Sequence, residues 1–215
     1  MIEESRILWQ NKAAMVINKQ PGEKAENDSP FPCPVHRLDM PVSGCLLLAQ
    51  TPEARAFLFD AFKTRNVEKR YWAVVEAPAP DKIPPDSGEL THWLMTDTKR
   101  NKSLAYGVEK KGSKKASLRY RIAGRGDHYL FMEIELLTGR HHQIRAQLAA
   151  LGLHIKGDVK YGARRGEKGG AIRLHASSLS FPNPLKSSET IRVEAPPPME
   201  DNLWDAFRSS LTQPE

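Results

Sequence analysis

Three stretches of this sequence set charged and hydrogen-bonding side chains beside apolar runs: His36-Arg37-Leu38-Asp39, Lys69-Arg70-Tyr71, and Thr138-Gly139-Arg140-His141-His142-Gln143-Ile144-Arg145. Carboxylate, imidazole, phenol and guanidinium groups are the tools of acid–base, nucleophilic and charge-stabilising chemistry. A charge next to a buried element costs several kcal/mol unless it is paired. Arg145 is the partner proposed for Asp39. The pair reads either as a plain structural tie between a loop and a helix or as a poised functional carboxylate. Tyr71 likewise reads as a core aromatic of a strand or as a site residue.

Other chemistries find little support. His141 and His142 are adjacent, and on a helix they diverge by about 100°. There is no His-Glu-x-x-His and no cysteine pair at ligand spacing, so no metal site is expected. No phosphate-cradling glycine loop occurs, so no nucleotide cofactor is expected. Val42-Ser43-Gly44 lacks the leading glycine of a nucleophile elbow.

The surrounding pattern says which elements must hold these groups. Ala13 to Asn18 is a short apolar run closed by Lys19-Gln20-Pro21-Gly22, a buried strand and a turn. A polar surface loop is expected from Glu23 to Pro34. His36 to Asp39 then precede the apolar run Cys45 to Ala49, a second buried strand, so the tetrad sits on a loop entering the core. Thr51, Pro52 and Glu53 suit the start of a helix, with Ala54, Phe57, Leu58, Ala61 and Phe62 along one face. Lys69 to Ala77 is apolar on both faces and predicts a central strand. A proline-rich loop covers Pro78 to Gly88. Ser117 to Ile122 and Tyr129 to Leu137 predict an antiparallel pair with one apolar and one basic face. A helix is expected from about Arg140 to Leu151, buried through Ile144, Leu148 and Leu151 and stopped at Gly152. Strands at Ile172 to Ser178 and Thr190 to Glu194 and a helix at Asp201 to Leu211 complete the chain.

The 215 residues allow a sizeable core, and two cysteines are too few for a disulfide framework. No apolar run reaches the ~18 residues of a membrane helix, and the acidic N-terminus has no secretory character. Cytoplasmic location and a monomer are the default expectations. The net charge is +6. It is concentrated between Asp97 and Asp127, where ten basic residues face three acidic ones, leaving the rest of the chain slightly negative. Such a segment suits a phosphate backbone, or is simply a solvated face.

The sequence resembles RluA-type pseudouridine synthases. His36-Arg37-Leu38-Asp39-Met40-Pro41-Val42-Ser43-Gly44 is similar to the family's H-R-L-D-x-x-T-S-G, and Lys69-Arg70-Tyr71 to its K-x-Y. Thr138 to Arg145 is similar to T-G-R-x-H-Q-I-R, and Gly157-Asp158-Val159-Lys160-Tyr161-Gly162 to G-D-x-x-Y-G. Leu174-His175-Ala176 and Ile17-Asn18-Lys19 also fit. Val42 replaces the usual Thr, and Gln147 stands where many members have a second His. The resemblance implies a mixed α/β (α+β) fold, a largely antiparallel central sheet flanked by helices and loops. It also implies a single catalytic domain over residues 1–215, without the small N-terminal RNA-binding domain of many members.

The implied activity is isomerisation of uridine to pseudouridine in structured RNA, ribosomal or transfer, without a cofactor. The implied catalytic residues are Asp39, Tyr71 and Arg145. Asp39 is the essential carboxylate, acting on C1′ as a nucleophile or on a C2′ proton. Arg145 pairs with it and Tyr71 lies against the uracil. His36, Arg37, Arg140, His142 and Gln143 are the implied substrate-binding residues. The target base is expected to be flipped out, with phosphate contacts from the basic segment offsetting the cost. A non-catalytic RNA-binding protein on the same fold is the alternative. A glycoside hydrolase, a third reading, lacks a second carboxylate near the motifs.

Overall fold

The computed structural model describes residues 2–25, 33–198 and 201–211. Ten strands and three α-helices are present among them. They divide into two compact units: Met1–Arg70 with His175–Met199, and Tyr71–Leu174 with Glu200–Glu215. Most of the expected loop from Glu23 to Pro34 lies outside the described residues.

The first unit holds β1 (Ile7–Gln10), β2 (Ala14–Lys19), β3 (Ser43–Ala49) and α1 (Pro52–Lys63). It also contains nearly all of the long strand β9 (Leu174–Asn183) and β10 (Lys186–Glu194). Strand order is β1-β2-β3-β9, with β10 paired to β9. All these pairs are antiparallel except β3 with β9, where Ser43 faces His175 and Gly44 faces Ala176. Every residue of β2 and β3 is buried, as their unbroken apolar runs predict. Gly44, with φ +110, has no room for a side chain, because a Cβ there would collide with the Ala176 carbonyl. α1 starts where the sequence places it, with Thr51 Oγ1 accepting from the Ala54 amide at 3.2 Å. It buries Ala54, Leu58 and Ala61 against Val16, Leu47, Leu179 and Phe181. Each such large apolar side chain contributes about 1.5–3 kcal/mol.

The second unit is a sheet of order β4-β8-β7-β5-β6. Its strands are β4 (Glu68–Glu76), β5 (Ser87–Asp97), β6 (Lys102–Tyr106), β7 (Lys114–Arg125) and β8 (Tyr129–Leu136). The boundary between units falls inside β4, between Arg70 and Tyr71. β4 and the β7–β8 pair follow the sequence reading. β5 and β6 do not: periodicity did not reveal them, because only Leu94 of β5 and Ser103 of β6 are fully buried. β1 was missed for the same reason, having no buried residue.

α2 (Gln143–Ala150) and α3 (Asn202–Leu211) complete this unit. α3 is capped by Asp201, whose Oδ1 accepts from the amides of Leu203 and Trp204 at 3.2 and 3.0 Å. Trp204 and Phe207 pack on Val74 and Phe131, and Phe207 stacks on Trp72 at 5.1 Å. The expected α+β class and predominantly antiparallel pairing are thus observed.

Candidate active site

Asp39 ends a loop whose backbone is fastened from below. Leu38 is buried while Asp39 is half-buried and Arg37 exposed. The Val42 amide donates to the Asp39 carbonyl at 2.9 Å, closing a tight turn. Under that turn lies Lys19, the last residue of β2 and wholly inaccessible to solvent. Its Nζ lies 2.6 Å from the Val42 carbonyl, 3.2 Å from Met40, 3.4 Å from Asp39 and 3.0 Å from Gln20. Burial pushes this amine down to about 8, against the opposing pull of the Glu23 and Asp39 carboxylates. One buried cation therefore gathers the carbonyls of the loop that carries the carboxylate. The sequence reading noticed Lys19 within Ile17-Asn18-Lys19 but gave it no role.

The other residues of this loop are also tied down. His36 Nε2 accepts from the Leu47 amide at 3.0 Å, and the ring stacks on Phe62 at 4.9 Å. Burial, then the nearby Lys69 cation, push it down to about 3, so the ring is neutral and able to accept. His36 thus anchors the loop to β3. Val42, one of the two departures from the family pattern, is buried. Ser43 Oγ lies 2.9 Å from His175 Nδ1, and His175 Nε2 donates to the Ala195 carbonyl at 2.9 Å. Burial pushes His175 down to about 4.

Tyr71 is buried on β4, next to the exposed Arg70–Glu68 pair at 2.5 Å. Lys69, on the same strand, is lowered by burial and by Arg65.

The stretch from Thr138 to Arg145 corrects the sequence reading. α2 begins only at Gln143, and residues before it form a turn. His142 takes a left-handed conformation, φ 50 and ψ 31. The two histidine rings consequently stack at 3.8 Å instead of diverging as helical neighbours would. The turn is built on the Gln143 amide. Its Oε1 accepts from Thr138 Oγ1 at 2.8 Å and the Arg140 amide at 2.9 Å, and its Nε2 donates to the Ser117 carbonyl at 3.1 Å. The side chain thereby satisfies an amide of the turn, two residues before the helix cap His142. Arg140 is exposed, its Nε donating to the Lys115 carbonyl at 3.2 Å.

Gln143 to Leu148 are all buried, so α2 is enclosed on every side rather than along one stripe. Leu151, expected in the stripe, is 37% exposed because the helix ends before it. Gln147, the second departure from the family pattern, is wholly buried and donates to the carbonyls of Leu90 and Ala116, each at 3.2 Å. Both departures therefore lie in the interior.

Arg145 is 5% exposed and pairs side-on with Asp158: Nε to Oδ2 at 2.6 Å and Nη2 to Oδ1 at 2.8 Å. Its guanidinium carbon lies 4.9 Å from the centre of the Tyr161 ring. Asp158 and Tyr161 come from the Gly157–Gly162 block, which sequence reasoning matched to the family without assigning a role. The predicted site residues thus fall into two groups. His36, Arg37 and Asp39 share one loop of the first unit. Tyr71, Arg140, His142, Gln143 and Arg145 belong to the second, where the last four cluster around one turn and the helix that follows it.

The basic segment is sorted by charge. Arg119 lies 3.4 Å from Glu89 and 3.6 Å from Glu135, and Arg121 lies 2.5 Å from Glu133. Arg125 pairs with Asp86, and Arg100 lies 3.7 Å from Asp97. Lys99, Lys110, Lys111, Lys114 and Lys115 have no ion pair among the described residues; Lys114 and Lys115 open β7, and Lys110 and Lys111 lie just before it. Glu109 is the acidic residue nearest in sequence to the four lysines from Lys110 to Lys115.

No helix here is long and apolar enough to cross a membrane. The structure matches two human proteins, RNA pseudouridylate synthase domain containing 1 and domain containing 4. TM-scores are 0.71 and 0.73, identities 22% and 21%, over 97% and 96% of this chain and 95% and 93% of theirs. At that identity the likeness is one of fold.

Sequence relatives are nearer. An uncharacterised RNA pseudouridine synthase of Zymomonas mobilis is 35% identical over 78% of this chain and 74% of its own length. An uncharacterised RNA pseudouridine synthase of Bacillus subtilis is 32% identical over 76% of this chain and 52% of its own. Ribosomal large subunit pseudouridine synthase D of Neisseria meningitidis is 32% identical over 76% of this chain and 45% of its own. The matched region is thus about half the length of most of these relatives. A family model described as RNA pseudouridylate synthase matches residues 13–150, the span that carries the Asp39 loop, Tyr71 and the Arg145 helix. The chain therefore belongs to the RNA pseudouridylate synthase family.

Proposed function

We propose that this chain isomerises uridine to pseudouridine within structured RNA, with Asp39 as the essential carboxylate. The N1–C1′ bond breaks, the uracil turns, and C5 bonds to C1′. The proton lost from C5 balances the one gained at N1, so the reaction needs no cofactor. In this reading Asp39 acts on the ribose, at C1′ or at C2′. Arg145 is its cationic partner and keeps it ionised and directed. Tyr71 lies against the base. Arg37 and Arg140 are exposed and contact RNA in this reading, while His36, His142 and Gln143 shape the surfaces that present them. Residues 1–215 act as one catalytic domain, as a monomer, in the cytoplasm. The names of the relatives make ribosomal RNA the first substrate to test, with transfer RNA second.

The observation that carries this reading is the Asp39 loop. The resemblance of His36-Arg37-Leu38-Asp39 to the family's motif supports Asp39 as the acid. The loop's buried lysine and closed turn leave a half-exposed carboxylate on a hydrogen-bonded backbone, the kind of preorganisation such chemistry needs. Val42 and Gln147, the departures that would favour a non-catalytic RNA-binding protein, both lie in the interior. Asp39→Asn is expected to abolish product while RNA affinity stays within about threefold. An Asn variant that converts uridine at the parental rate overturns the assignment. Mapping pseudouridine in cellular RNA with and without the gene identifies the substrate.

A further inference from the structure

We propose that Asp158 and Tyr161 are positioning residues of the isomerisation, acting through Arg145. The proposal rests on the reading of Arg145 as the partner of the catalytic carboxylate. Asp158 holds one edge of the guanidinium, through Nε and Nη2. That grip leaves the Nη1 edge pointing away from Asp158, so the direction of the second edge is set by the first.

Tyr161 supports the same group on its face, and its own place is fixed at the hydroxyl. The Ser103 amide donates to Tyr161 Oη at 2.8 Å, and Oη lies 3.2 Å from the Ser103 carbonyl and 3.0 Å from His142 Nδ1. Ser103 Oγ is in turn held at 2.7 Å from the His141 carbonyl and 2.9 Å from His141 Nδ1. Strand β6, the His141-His142 turn, α2 and the short helical turn Val159–Tyr161 thus converge on one cation.

The local backbone is committed to this arrangement. Gly157 and Gly162 bracket the two residues with φ +89 and +101. A Cβ on Gly157 would lie 2.7 Å from the Ala171 carbonyl, and one on Gly162 2.7 Å from the His154 ring. His154 Nδ1 completes the bracket by donating to the Tyr161 carbonyl at 2.7 Å. Spacing in the Gly157–Gly162 block follows from these contacts. Tyr161 lies three residues after Asp158 because a single turn closes between them, the Tyr161 amide donating to the Asp158 carbonyl at 2.9 Å.

Stability alone is a poor reason for such a pair. A buried ion pair is commonly no better than apolar residues of the same volume. What it adds is direction, since a side-on guanidinium–carboxylate pair is planar and two-pronged.

The test measures single-turnover conversion at saturating enzyme, RNA affinity and thermal unfolding for Asp158→Asn, Asp158→Glu and Tyr161→Phe. The expected result is a 10- to 100-fold slower conversion for Asp158→Asn and a 3- to 10-fold slower one for Tyr161→Phe. RNA affinity should stay within threefold, and Asp158→Glu should recover part of the rate. Loss that vanishes at a temperature where the variants are fully folded, or parental rates in folded variants, overturns the proposal. If Asp158→Asn does not fold, Tyr161→Phe decides, because it keeps the ring and removes only the hydroxyl. Asp39→Asn runs beside them. An active Asp39→Asn refutes the proposed function itself, whereas an inactive Asp39→Asn with unimpaired Asp158 and Tyr161 variants refutes only the positioning role.

Discussion

Replacing Lys19 by Met separates what a buried cation does for stability from what it does for the site. The ammonium is fully enclosed, and burial lowers it from the ordinary 10.5 to about 8. That shift corresponds to about 3 kcal/mol by which the fold disfavours the charged form. Met has a similar length and no charge, so the substitution removes this cost. Against it stands the loss of the bond to the Val42 carbonyl at 2.6 Å, worth about 1–3 kcal/mol for a buried acceptor left unpaired. The carbonyls of Met40 and Asp39 keep their amide donors, Gly22 at 2.8 Å and Val42 at 2.9 Å. The two effects nearly cancel.

At pH 7 the variant should therefore unfold within about 5 °C of the parent, taking ~2–4 °C per kcal/mol. Activity should not be spared, because the cation no longer ties the Asp39 turn to β2, and a displacement of about 1 Å can cost a hundredfold. A 10- to 100-fold slower single turnover is expected. The pH dependence supplies a second check. The unfolded chain keeps the lysine proton up to about 10.5, whereas the folded protein releases it near 8. The parent gains stability as pH rises across that window and the Met variant does not. Calorimetry from pH 7 to 10 together with the conversion assay reads both. A flat difference between parent and variant, or a Met variant of parental rate, refutes the reasoning.

Two further outcomes follow from the charges in the structure. His175 is held neutral by burial and is lowered to about 4. Its contribution is complete above the unfolded value near 6.5 and is lost as pH falls towards 4, about 2 kcal/mol between pH 7 and 5. His36 acts in the same sense, so denaturant midpoints should fall between those pH values, and less so in His175→Gln. Among the basic residues, replacing Lys110, Lys111, Lys114 and Lys115 with Gln should weaken RNA binding and lower the slope of log affinity against log salt by about 3. Arg119→Gln with Arg121→Gln should instead leave that slope nearly unchanged, since both arginines already face carboxylates. Equal slopes for the two sets would show that pairing does not decide which cations meet phosphate.

Periodicity located β2, β3, α1, β4 and the β7–β8 pair because those segments bury continuous or alternating apolar faces, a property of the chain itself. The turn chemistry of Thr51-Pro52 was equally local. The motif blocks were legible as residue types in order, which is how Asp39, Tyr71 and Arg145 were singled out. Local pattern was silent where an element buries little and is held by pairing with other strands, as for β5, β6 and β1. It misjudged the residues before Gln143 because their conformation is set by the Ser117 backbone and the Gln143 amide rather than by helical periodicity.

Lys19 and Asp158 show the same division. In the sequence each stands in a block that resembles the family's pattern but carries no assigned role, and only the tertiary structure makes one the hub of the Asp39 turn and the other the clamp on Arg145. Sequence determines which groups are present and which segments bury themselves. Desolvation, hydrogen-bond completion and direction arise only when segments far apart in the chain meet, and those decide what the groups can do.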